Sequence, residues 1–155
     1  MTKALCPGSF DPPTMGHVDV VERAISVFDD VVVSVVDNPS KTSLFSVPER
    51  IDLLESLFEG RAEIVSFSGL LVEHAAAQGA DVVVKGLRSI DDYEYEKQMS
   101  QMNHHLSGME TVYMATAPEF GFVSSSLVKE VAKLGGDVSA LVPPVVAEAL
   151  KERSQ

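Results

Sequence analysis

The sequence predicts an α/β protein: a single-domain, Rossmann-like, doubly wound parallel sheet of five strands with helices on both faces, spanning residues 1–155. Three observations carry this prediction. Short apolar runs alternate with helical patterns along the whole chain. Glycines fall where the helices should end, at Gly60, Gly79, Gly108 and Gly135-Gly136. A glycine-punctuated decapeptide lies between the first strand and the first helix, where this fold class holds phosphates.

The elements follow in order. Residues 3–6 read as a strand and 17–28 as an amphipathic helix. The run 31–36 is β-branched and apolar on both faces, as a central parallel strand should be. A polar loop, 37–46, precedes a helix that Ser46 caps, with Glu49 completing the capping box and Pro48 tolerated in the first turn. That helix puts Ile51, Leu54, Leu57 and Phe58 on one face. A strand at 62–67, a helix at 70–78 and a strand at 81–84 come next. Then a helix covers 91–107, a strand 111–115, and two helices 125–134 and 144–152 close the chain. No repeat, low-complexity segment or linker divides it.

Composition narrows the function classes. Apolar residues make up 45% of the 155, enough for a substantial core. Twelve Lys and Arg against 23 Asp and Glu leave a net charge of −11, which argues against nonspecific binding to nucleic acid or to an anionic membrane. No apolar run reaches transmembrane length and no signal segment precedes the first strand. The single cysteine, Cys6, allows no internal disulfide and reads as a small core residue; a cytoplasmic location is expected. In so acidic a chain the few cations become pointers, because binding a polyanion requires concentrating them in one place.

The decapeptide Gly8-Ser9-Phe10-Asp11-Pro12-Pro13-Thr14-Met15-Gly16-His17 is neither G-x-G-x-x-G nor G-x-x-x-x-G-K-[ST]. It carries Thr-x-Gly-His, with the imidazole in the first turn of the helix. A plainer reading makes Thr14 a helix cap, the prolines a stiffened turn and His17 a surface residue. Three further segments agree with the functional reading, since each also follows a predicted strand: the loop with Lys41, the run Lys85-Gly86-Leu87-Arg88, and the run Phe120 to Ser126. Together they supply an imidazole, two lysines, an arginine, glycine backbone and a serine-rich helix start. These donors suit several phosphates and include no obvious nucleophile–base pair. Nucleotidyl transfer can proceed by alignment and charge stabilisation alone.

Other conspicuous residues have structural readings. Asp91, Asp92, Glu94 and Glu96 complement a helix dipole more simply than they build a metal site, so no protein-held metal is expected. His104 and His105 point about 100° apart on a helix, and His74 has no partner pattern. Met99, Met102, Met109 and Met114 read as core or subunit-contact residues.

The chain resembles the bacterial phosphopantetheine adenylyltransferases, within the Thr-x-Gly-His nucleotidylyltransferases, nearly end to end. The resemblance rests on Pro7-Gly8-Ser9-Phe10-Asp11-Pro12, Thr14-x-Gly16-His17, Gly86-Leu87-Arg88, Tyr93-Glu94-Tyr95-Glu96, Gln101-Met102-Asn103 and Ser124-Ser125-Ser126-Leu127-Val128-Lys129-Glu130. It implies adenylyl transfer from MgATP to 4′-phosphopantetheine, giving dephospho-coenzyme A and pyrophosphate. His17 is then the transition-state stabiliser on the ATP phosphates, with Lys41 and Arg88 as catalytic cations, and Lys41 also binds substrate by bridging the incoming phosphate and the α-phosphate. Ser9 and Phe10 contact both ATP and the acceptor phosphate. Lys85 binds the pantetheine phosphate and Leu71 lines the pantetheine arm. Gly86, Leu87, Arg88 and Glu96 contact the nucleotide, as do Phe120, Gly121, Phe122, Val123, Ser124, Ser125 and Ser126. Mg²⁺ arrives on the ATP phosphates. A homohexamer and coenzyme A as a feedback ligand are also implied.

Against the family's commonest pattern, Ser9 stands for Thr, Lys85 for Arg, Phe120 for Trp and Leu71 for Met. None of these exchanges removes a required group, though Lys85 lacks the bidentate fork. Two alternatives remain at this point: a nucleotidylyltransferase acting on nicotinate mononucleotide or an alcohol phosphate, and a non-catalytic nucleotide-binding module of flavodoxin-like shape.

Overall fold

A computed structural model describes residues 1–153. Five strands, β1 (Lys3–Gly8), β2 (Asp30–Val36), β3 (Glu63–Phe67), β4 (Val82–Leu87) and β5 (Glu110–Ala115), form one sheet in the order β3-β2-β1-β4-β5. Every neighbouring pair is parallel. Six helices accompany them: α1 (Met15–Val27), α2 (Val47–Phe58), α3 (Leu71–Ala77), α4 (Ile90–Ser107), α5 (Ser125–Lys133) and α6 (Pro144–Arg153). The predicted architecture is present.

Strand alternation decides which face each residue serves. Ala4, Cys6, Val31, Val33, Val35, Val82 and Val84 share one buried cluster with Val20, Val21 and Ala24 of α1 and with Leu54 and Phe58 of α2. The intervening residues face the other way. There Ser34 Oγ lies 2.9 Å from His74 Nε2 on α3, and α3 packs against α4. His74 also stacks on Phe67, with ring centroids 4.2 Å apart. A second cluster, around Phe45, Leu53, Val123, Val128, Val142 and Val146, joins α5 and α6 to α2 and to the end of the 37–46 loop.

The strand order reverses at β1, whose two neighbours are β2 and β4. The chain runs from β1 to β2 and β3 on one side and to β4 and β5 on the other, so a crevice opens above the carboxyl ends of β1 and β4.

Two differences from the expected boundaries matter. β1 runs to Gly8 and β4 to Leu87, so Lys85, Gly86 and Leu87 lie inside the end of a strand, not in the loop after it. The extra length is held by pairing: Lys85, Gly86 and Leu87 register with Tyr113, Met114 and Ala115 of β5. A short 3₁₀ turn, Pro118–Phe120, also precedes α5, where no helix was expected.

Candidate active site

Local chemistry sets the first turn of α1. Thr14 is its N-cap in extended conformation, and its hydroxyl accepts the His17 N–H at 3.4 Å. His17 stands where a capping box usually has Glu, and its Nδ1 accepts the Thr14 N–H at 2.9 Å. The cap and the Thr-x-Gly-His motif are therefore one structure. Because Nδ1 is an acceptor here, the proton of the neutral ring sits on Nε2. Burial, and then the nearby Arg88 charge, lower the His17 pKa to about 4. The ring is half-buried and packs edge-on against Phe10, with centroids 5.0 Å apart. At neutral pH His17 is an uncharged Nε2–H donor.

Phe10 adopts φ 50, a left-handed conformation that L side chains rarely take. Its own environment holds it there: the side chain is buried in the main core, and the backbone on either side is tied. The Ser9 carbonyl accepts from Arg50 Nη1 at 2.8 Å. The Asp11 carboxylate accepts the N–H groups of Leu44 and Phe45 and the Lys129 ammonium at 2.9, 2.8 and 3.0 Å. Burial alone would raise the Asp11 pKa, but these donors outweigh it and hold the carboxyl below its ordinary value.

These elements enclose a cavity of about 260 Å³ at the β1–β4 switch point. Phe10, His17, Lys85, Gly86, Arg88, Glu96, Val123, Ser124 and Ser125 line it, from four separate segments of sequence. Two helix N-termini, those of α1 and α5, open onto it through Thr14, Ser124 and Ser125. α5 is joined to the first motif directly, since Ser125 Oγ donates to the Pro12 carbonyl at 2.7 Å. Arg88 reaches across the mouth: Nη1 donates to the Val123 carbonyl at 2.9 Å, and Nε pairs with Asp92 at 3.1 Å. Lys85 pairs with Glu96 at 3.5 Å.

Leu71 lies apart from this group. It lines a smaller cavity of about 90 Å³ whose wall includes Lys85, Glu96 and Met99. The Lys85–Glu96 pair thus borders both cavities. Ser9, Leu87, Phe120, Gly121, Phe122 and Ser126 flank the large cavity in sequence but do not line it. Phe120 packs on the second core, whereas Phe122 is 61% exposed.

Lys41 is exposed, outside the lining, in a local turn where its N–H donates to the Asn38 carbonyl at 3.1 Å. Neither Lys41 nor Leu71 is brought to the imidazole, while Lys85 and Arg88 are.

Several cavity residues escaped the sequence reading. Gly8, Thr14 and Gly16 lay inside the decapeptide but were not assigned to the site. Thr116 follows β5 on the same rim of the sheet, so the rule that ligands meet strand ends could have found it. Asp92 was not assigned to the site either, although the sequence offers it or Asp91 as an ion-pair partner for Arg88; it lines the cavity and holds that guanidinium. Cys6 lines the cavity, but burial pushes its thiol up to about 12, so it stays protonated. Among the described residues, no group of three His, Cys, Asp or Glu side chains could hold a metal ion.

Comparison with known proteins adds the following. The cytidylyltransferase-like family model matches residues 5–131. The phosphopantetheine adenylyltransferase of Streptomyces coelicolor is 52% identical over 155 residues, covering 99% of this chain and 98% of that protein. The enzyme of the same name from a Nocardioides species is also 52% identical with the same coverage. Among solved structures, a Vibrio parahaemolyticus protein provisionally named a nicotinate-nucleotide adenylyltransferase superposes with TM-score 0.65 at 18% identity, covering 97% of this chain and 99% of the other. A lipopolysaccharide core biosynthesis protein from Thermoplasma volcanium gives TM-score 0.56 at 18% identity, over 76% of this chain and 97% of the other. At that identity the two structures speak for the fold alone.

Proposed function

The chain belongs to the phosphopantetheine adenylyltransferases of the cytidylyltransferase-like family, and from that premise we propose that it moves the adenylyl group of ATP onto 4′-phosphopantetheine, giving dephospho-coenzyme A and pyrophosphate. The observation that supports this most is the convergence of His17, Lys85, Arg88 and two capped helix N-termini on one cavity at the switch point. Such a set of donors suits polyphosphate.

A phosphate oxygen of the acceptor attacks the α-phosphorus of ATP. The bond from that phosphorus to the bridging oxygen breaks, and pyrophosphate leaves with the electron pair. The attacking group is already an anion at neutral pH, so no protein base has to remove a proton. The task left to the protein is to bring two anions together and to meet the charge that builds on the α-phosphate. His17 Nε2–H donates to that phosphate without adding a charge of its own. Arg88 and the amide-rich starts of α1 and α5 hold the remaining phosphates. Lys85 turns from Glu96 toward the acceptor phosphate, and the pantetheine arm runs into the small cavity beside Leu71. Lys41 reaches the α-phosphate when the 37–46 loop folds over bound substrates. Ser9, Leu87, Phe120, Phe122 and Ser126 complete the nucleotide's surroundings around the same rim.

The donor set fits a phosphate-borne metal better than a caged one. Asp92 and Glu96 are each engaged with a cation, so Mg²⁺ is assigned to the ATP oxygens and not to protein ligands. Bound there, it would neutralise phosphate charge. Coenzyme A carries the product's pantetheine arm and competes at the same site. Self-association, to a homohexamer, uses the face of α4 on which Tyr95, Met99, Met102 and Leu106 are exposed. The cytoplasm is the compartment that matches this substrate set; no helix among the described residues is long and apolar enough to cross a membrane.

The deciding experiment incubates the protein with MgATP and 4′-phosphopantetheine, and in parallel with nicotinate mononucleotide. Dephospho-coenzyme A and equimolar pyrophosphate are expected only with the first acceptor. Turnover of the second alone, or ATP binding without pyrophosphate release, overturns the reading. Lys85→Ala separates the two substrates: the Michaelis constant for phosphopantetheine should rise at least about tenfold, the worth of one charged contact. A change confined to ATP contradicts the role given to Lys85.

A further inference from the structure

Arg50 is 4% exposed, and among the described residues every hydrogen-bond partner of its guanidinium is a backbone carbonyl. Nε donates to Phe45 O at 3.1 Å, and Nη1 donates to Ser9 O at 2.8 Å and Val36 O at 3.1 Å. Burying a cation costs stability that an apolar side chain of similar size would not lose. The three carbonyls show what the charge is for. Val36 ends β2 and leads into the Lys41 loop, Phe45 leaves that loop, and Ser9 belongs to the turn above β1. One planar cation therefore fastens the entry and the exit of the loop to the turn beside His17.

Neighbouring side chains secure the same exit. Asp11 accepts the Leu44 and Phe45 N–H groups. From α6, Arg153 donates to the Leu44 carbonyl at 3.0 Å, pairs with Glu49, and sits 5.1 Å over the Phe45 ring. Lysine could not replace Arg50 here, because its three donors radiate from one atom and cannot span carbonyls on three segments.

We propose that Arg50 is a positioning residue for the adenylyl transfer, holding both ends of the 37–44 span so that Lys41 closes onto the phosphates in register with Ser9 and His17. This rests on the role given to Lys41 above. Pinning both ends restricts the closed loop to few conformations, and a displacement of about 1 Å at its base is worth up to about a hundredfold in turnover.

The test compares Lys41→Ala, Arg50→Lys, Arg50→Met and the double variants. Urea midpoints identify which of the Arg50 variants is folded; Arg50→Met also removes the buried charge. In the native background the folded Arg50 variant should lower kcat about tenfold to a hundredfold with the ATP Michaelis constant within about threefold. In the Lys41→Ala background the same change should cost less than about threefold, because the group being positioned is gone. Equal losses in the two backgrounds overturn the proposal, as does no loss in the native one. Unchanged turnover in Lys41→Ala alone identifies the Lys41 role as the failure. Tryptic cleavage after Lys41 adds a readout free of catalysis: release of the loop ends should speed it several-fold, and an unchanged rate contradicts the clamp.

Discussion

His17 closes the helix cap and is also the side chain proposed to meet the α-phosphate, and its protonation follows from the cap. Nδ1 is committed to the Thr14 N–H, so a second proton could enter only by breaking the cap. The resulting pKa of about 4 lies below the ordinary histidine value, which fixes the sign of the pH effect. Between pH 6.5 and 4 the unfolded chain binds a proton at this position and the folded chain does not. Folding stability therefore falls as pH drops through that window, by at most about 3 kcal/mol, and does not change from this source above it. In the free protein the His17 ring resonances should stay fixed from pH 8 to 5.5 by NMR; a titration centred near 6.5 would show that the cap geometry is wrong. The two roles of His17 can also be separated. Gln at this position restores a capping box, so His17→Gln should keep the thermal midpoint while losing about a hundredfold or more in kcat. Turnover within a few-fold of native would remove the imidazole from the chemistry.

Among the elements, β4 carries Val84, Lys85 and Gly86 to the cavity, and glycine near its end is a matter of space. A Cβ on Gly86 would lie 2.8 Å from Val20 Cγ2 of α1, closer than real contacts allow. Gly86→Ala should force β4 and α1 apart, lowering stability by about 1–3 kcal/mol and weakening ATP binding; native values for both in urea unfolding and calorimetry would contradict this packing. The strand itself shows where sequence reading stops. Val82 to Val84 are three apolar β-branched residues and were legible, whereas Lys85-Gly86-Leu87 lacks that signature and enters the sheet through its pairing with β5. The capped starts of α1, α2 and α5 were legible because Thr14, Ser46 and Ser124 act locally. In the same way, the decapeptide and the Gly-Leu-Arg segment announced the site. Arg50 showed no pattern, and Asp11, though inside the decapeptide, showed nothing of its role, because apart from the Phe45 carbonyl beside Arg50 their partners are distant in sequence: Ser9 and Val36 for Arg50, Leu44, Phe45 and Lys129 for Asp11. Lys41 was legible as a loop residue after β2, but a turn closed on Asn38 decides where it rests.

At the scale of the whole molecule, an excess of 11 negative charges surrounds a crevice in which His17, Lys85 and Arg88 gather. The acidic remainder disfavours polyanions everywhere except that crevice. The apolar side chains exposed on α4 carry a separate expectation. Sedimentation should give a particle of six 16.7 kDa chains, and Met102→Glu should shift it toward smaller species; a native monomer would contradict the assembly. The central claim is that the β1–β4 crevice, with the small cavity beside it, holds the nucleotide and the pantetheine together. Hydrogen exchange with dephospho-coenzyme A as the probe tests it most directly, because on the proposed reading that product would span both cavities. Protection should rise together in residues 8–17, 71–75, 85–96 and 123–126. Protection confined to other segments, or nucleotide-side protection with residues 71–75 unchanged, would contradict the account.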